Sequence, residues 1–127
     1  MTTQIQREEW KTFLDELSRN LVGWQIVVEV ISDNVGAQIL AEGLPFAGLT
    51  FEDDGSPSIE LTIGTDAANH QAHTIANPTA VAFEGTGVGP AGVLDIEDDA
   101  GTKTLVKFVQ PFPVLVEYEA TEIAAFQ

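Results

Sequence analysis

Only two histidines occur in this chain, and they lie close together in Asn69-His70-Gln71-Ala72-His73. Imidazole changes charge near neutral pH and ligates metals, so the pair could act as a general base or hold an ion. On a helix, positions i and i+3 share a face and both rings would converge. On a strand they point to opposite faces. With a third ligand from Asp66 or Asp95, the pair would describe a small acid/base or metal-assisted enzyme. The flanking residues favour an extended segment, so the preferred reading makes the histidines structural, or places one in the core and one exposed.

Other chemistry-bearing patterns are thinner. Glu52-Asp53-Asp54-Gly55 and Glu97-Asp98-Asp99-Ala100-Gly101 have the composition of calcium loops. They lack ligands at alternate positions and the closing glutamate, and read as hairpin turns. Gly85-Thr86-Gly87-Val88-Gly89-Pro90 is glycine-rich like a phosphate loop but has no Lys-Ser/Thr ending. No serine stands in a G-x-S-x-G context, and the absence of cysteine excludes thiol nucleophiles, disulfides and zinc fingers. No cofactor is expected.

Charge is the most unusual feature. Twenty Asp and Glu against five Lys and Arg give a net charge of −15 over 127 residues. Between Arg19 and Lys103 there is no Lys or Arg, yet thirteen carboxylates occur there. Binding to nucleic acid or an anionic membrane requires clustered cations, so neither partner is expected. The plain interpretation is a solvated negative face that keeps the protein soluble. A sharper one is a decoy surface for a basic protein partner.

Whatever site exists must be positioned by a few short elements. Trp10, Phe13, Leu14, Leu17 and Leu21 repeat at helical spacing, predicting an amphipathic helix over about 7–20 that Gly23 stops. Gln6 is placed at its cap, with Ile5 and Trp10 spaced as a hydrophobic staple. After Gly23 the period becomes two, and strands are predicted at 24–31, 37–41, 46–51, 58–63, 70–75, 80–84, 93–97, 102–109 and 114–118. Gly43-Leu44-Pro45 is taken to separate the second from the third. Residues 120–126 read as a short helix or tail.

The expected fold is therefore α+β. An N-terminal amphipathic helix packs on an antiparallel β-meander, sandwich or small barrel of seven to nine short strands, in a single domain over 1–127. Neither a signal peptide nor a run of about 20 apolar residues is visible, so the cytoplasm is the expected location. The late apolar run from Val114 to Tyr118 is a candidate edge strand for a protein partner or homodimer.

The chain resembles a small bacterial family of domains of unknown function. The likeness is carried by Arg7-Glu8-Glu9-Trp10 with Phe13, by Gly23-Trp24, by Leu44-Pro45-Phe46-Ala47-Gly48, by His73-Thr74-Ile75, and by Leu94-Asp95-Ile96-Glu97 with residues 101–108. Ala100-Gly101 departs from it, since an acidic residue is expected before the glycine. The family has no known activity, so the resemblance implies a bacterial origin and little more. The leading expectation is thus a non-catalytic, acidic, soluble domain for protein binding or self-assembly.

Overall fold

The computed structural model describes residues 2–64, 70–85 and 92–111. Eight strands and one helix follow one another as β1 (Thr2–Ile5), α1 (Trp10–Leu21), β2 (Trp24–Ser32), β3 (Gly36–Asp53), β4 (Pro57–Ile63), β5 (Gln71–Ala76), β6 (Pro78–Gly85), β7 (Gly92–Asp98) and β8 (Lys103–Pro111). A 3-10 turn, Arg7–Glu9, leads into the helix. All strand pairs are antiparallel, in the order β1-β6-β7-β8-β2-β3-β4-β5. The expected α+β class and antiparallel sheet are both present.

The helix forms where its apolar stripe recurs, and Trp10, Leu14, Leu17 and Leu21 are all buried. Gln6 does precede the first turn, but its side chain makes no capping bond. Instead the Trp10 indole N–H donates to the Ile5 carbonyl at 3.0 Å, fixing the entry angle through the two staple residues. At the other end Gly23 adopts a φ of 87°, which leaves the helical path, and its N–H donates to the Phe46 carbonyl at 2.8 Å.

The expected break at Gly43-Leu44-Pro45 is a bend within one strand. Between Val27↔Glu42 and Ile26↔Leu44 the register slips by one residue, so Gly43, with a φ of 74°, is the extra residue of a bulge. A second slip between Val28↔Ala41 and Glu29↔Ile39 makes Leu40 another. Past this bend β3 changes partner. Its first part pairs with β2 as far as Pro45, and from Phe46 onward it pairs with β4. β3 is therefore one long bent strand where two short ones were expected. A bulge preserves the hydrogen-bond ladder through a sequence that looks like a stop.

The strand order also shows how the sheet rolls up. β5 stands at one end of the row and β6 next to the other end, yet Asn77 is the sole residue between them. Asn77 takes a φ of 53°, one of the few left-handed positions asparagine tolerates. Its N–H donates to the Pro57 carbonyl at 2.9 Å, and its carbonyl accepts from the Asp99 N–H at 3.1 Å. Two ends of one sheet joined by a single residue must curl towards each other, and β4 meets β6 across the interior. The core fills that curl with Ile26, Val28, Phe46, Leu49, Ile59, Leu61, Ile63, Leu94, Ile96 and Val106 from the strands, and the helix lies over β3.

The helix seat is held by one hydroxyl as well as by apolar burial. Ser18 Oγ accepts from the Leu49 N–H at 2.9 Å and donates to the Leu14 carbonyl at 2.7 Å, with the Leu49 carbonyl 3.1 Å away as a further acceptor. Leu49 pairs with β4 on one side, and α1 supplies the partner on the flank that β2 has left. Arg7 closes this end, its guanidinium lying 5.0 Å from the Trp10 ring and 5.2 Å from Phe51 while it bonds Asp53 at 2.9 Å.

β1 lies outside every expected strand, because Thr2-Thr3-Gln4-Ile5 shows no apolar alternation; it is held by pairing with β6 and by the Trp10 bond to the Ile5 carbonyl. The proposed strand 114–118 lies outside the described residues.

Candidate functional site

The two histidines are not brought to one place. His70 precedes β5 and is exposed, while His73 lies within β5 opposite Leu61 and is half-buried. Asp66 lies outside the described residues. Asp95 sits on the outer face of β7, since Leu94 and Ile96 on either side of it are buried inward. Among the described residues, no group of three or more metal-ligating side chains comes together.

His73 nevertheless lines a cleft of about 350 Å³. One wall is residues 73–77, and the other is the β7–β8 turn, with Asp98, Asp99, Thr102 and Thr104, and Val30 behind. Four of these residues, 73–76, are consecutive in β5, and a run without alternation is what a strand's edge presents, not one of its faces. The cleft therefore runs beside the outer flank of β5, where no described strand pairs. Burial pushes the His73 imidazole below its ordinary value, which favours the neutral ring. Asp98 Oδ1 shapes the far wall by accepting from the Ala100 N–H at 2.9 Å and the Thr102 N–H at 3.0 Å. Turn chemistry, as expected, accounts for this acidic run.

The sheet's outer face carries a different arrangement. Lys103 and Lys107 flank Leu105 on β8. Lys107 pairs with Glu29 at 3.2 Å, and Lys103 lies 3.9 Å from Asp95. Burial raises the Asp95 carboxyl above its usual range, Lys103 pulls it back, and Glu97 pushes it up again. Its Oδ1 is buried with no hydrogen-bond partner among the described residues. Arg7 and Lys11 are likewise paired, with Asp53 and Asp15. A second hollow, of about 430 Å³, lies beside α1 and is lined by Glu8, Glu9 and Glu16 together with Ile5, Thr12 and Phe13.

Free strand edges are the feature the sequence could not reveal. Among the described residues, β1, β5 and β3 over residues 36–41 are three segments with an outer flank that neither a strand nor α1 covers. None of the three contains an Asp, Glu, Lys or Arg. At the β3 edge Val35, Ile39 and Leu40 are 62%, 55% and 42% exposed, unusual for large apolar side chains. The cue was present as uncharged strands in a heavily charged chain, but which strands lie at an edge depends on their order.

No helix among the described residues is long and apolar enough to cross a membrane. Residues 1–115 match the model of a family described as "Family of unknown function (DUF5335)". An "Uncharacterized protein" of Aquifex aeolicus (strain VF5) is 25% identical over 113 residues, covering 89% of this chain and 96% of that protein. No solved structure matches.

Proposed function

This chain belongs to the family of unknown function DUF5335, which supplies no activity to inherit, and we propose that it is a non-catalytic, acidic interaction domain of the cytoplasm that accepts a protein chain along a strand edge. One observation carries this reading: three uncovered edges, β1, β5 and β3 over residues 36–41, lack charged side chains in a chain of net charge −15. An unpaired edge offers a row of N–H and C=O groups to any extended segment. Soluble proteins usually blunt such edges with lysines or other charges. Leaving all three bare while placing twenty carboxylates outside them keeps the edges available for pairing.

The test compares the wild-type protein with Thr3→Lys, Ile39→Lys and Thr74→Lys, one exposed position on each edge. Sedimentation velocity reads self-association, and affinity purification from cells expressing the tagged chain reads partners. The expected result is a complex that one of the three lysines abolishes while thermal unfolding stays unchanged. A strict monomer without a partner, or a complex indifferent to all three substitutions, overturns the reading.

A further inference from the structure

We infer that the cleft beside β5 is the docking groove of this domain, and that its occupant is an extended basic peptide segment laid antiparallel or parallel along residues 71–76. The inference rests on the interaction reading above and names the edge and the partner chemistry.

Three independent features converge there. The outer flank of β5 faces the cleft over residues 73–76, as far as the Asn77 corner. Main-chain groups on that flank can hydrogen-bond an added strand without regard to its sequence. The opposite wall is acidic: Asp98 and Asp99 stand on the β7–β8 turn, and no Lys or Arg lines the cleft. Four of the five basic residues are held by carboxylates outside the cleft, Arg7 by Asp53, Lys11 by Asp15, Lys103 near Asp95 and Lys107 by Glu29. The fifth, Arg19, is exposed on α1.

A guest strand in this groove would therefore meet carboxylates that no described cation neutralises, and its lysines or arginines would supply the missing charge. An acidic segment, including a second copy's own acidic surface, would be repelled. Thr74 and Ala76 are exposed on one side of β5, while the half-buried His73 and buried Ile75 lie on the other, so alternate guest side chains would face solvent and groove. The β3 edge instead exposes Val35, Ile39 and Leu40, whose apolar chemistry does not select for a basic partner.

The probe is a heptapeptide alternating lysine and valine, compared with its glutamate–valine counterpart and with spermidine, each titrated into the isotopically labelled full chain. The expected result is binding of the lysine peptide with amide shifts confined to residues 71–77 and 98–104, and none from the glutamate peptide. Affinity should fall about 3- to 10-fold in Asp99→Asn, fall at least as far in Thr74→Lys, and weaken as salt rises to 0.5 M, as a screened charge contact requires. Asp99→Asn leaves the Asp98 turn bonds intact, so it tests charge and not folding. Absence of binding, equal binding of the glutamate peptide, shifts mapping to α1, or identical shifts from spermidine alone would each overturn the inference. Loss of the cellular complex in Ile39→Lys but not in Thr74→Lys would leave the interaction reading standing and remove this groove from it.

Discussion

The two halves of β3 are continuous in backbone yet opposite in environment. Over residues 46–51 the strand pairs with β4, lies beneath α1, and buries Phe46 and Leu49 almost completely. Over residues 36–41 it pairs with β2 alone and leaves Ile39 and Leu40 exposed. Both halves are rich in apolar residues, so hydrophobicity does not distinguish them. What distinguishes them is the partner change after Pro45, which delivers one half to the helix and sends the other out as a hairpin edge. An apolar side chain contributes to stability only where something covers it, and on an uncovered edge it is left available for association.

The largest test of this contrast is Phe46→Ala. The ring packs edge-on to Phe108 with centroids 5.0 Å apart in a region with no exposure to solvent. Chemical denaturation should show a loss of about 3–5 kcal/mol, the usual consequence of emptying a large aromatic site. A loss below about 1 kcal/mol would mean the covered half is not the stabilising one.

Ser18→Ala comes next. It removes the hydroxyl that accepts from Leu49 and leaves that N–H under the helix without its partner, so a loss of about 1–3 kcal/mol is expected. Ser18→Thr should recover much of it if the hydrogen bond is the cause.

His73→Gln reads the boundary between the packed interior and the open groove through pH. The folded-state value lies below the ordinary value of about 6.5, so the fold binds its proton less readily than the unfolded chain does. His73 therefore costs nothing well above pH 6.5 and lowers stability as pH falls through that value. Urea midpoints of the wild type should decline between pH 7 and pH 5 more steeply than those of His73→Gln, and parallel curves would show that burial does not govern the ring.

Ile39→Thr should change stability least, within about 0.5 kcal/mol, because the side chain already meets water. A cost near that of Phe46→Ala would show that residues 36–41 are covered in solution, and the contrast would collapse.

Much of the frame was legible in the sequence because it is written in local periodicity. The stripe Trp10, Leu14, Leu17 and Leu21 named the helix and its buried face, and the alternation in Ser58-Ile59-Glu60-Leu61-Thr62-Ile63 named β4 with its inward residues. β1 was not legible, because four residues without alternation become a strand only when β6 lies beside them. Continuity across Gly43 was hidden for a different reason: glycine and proline mark a turn in most contexts, and the bulge uses the same left-handed geometry without leaving the sheet. The candidate site was the least legible part. From the sequence His73 belongs with His70 and a third group, Asp66 or Asp95, whereas in the structure it lines the cleft together with Asp98 and Asp99. That meeting is produced by the strand order and the Asn77 corner, and spacing along the chain does not encode it.

The β7–β8 turn that walls the groove also bears on assembly through β5. A sheet margin open to solvent can recruit copy after copy, each newcomer presenting a fresh margin to the next, and the end state is a fibre. Beside residues 73–76 that chain reaction meets an obstacle. Across the cleft stand Asp98, Asp99, Ala100 and Thr102, on the side from which a further strand would have to approach.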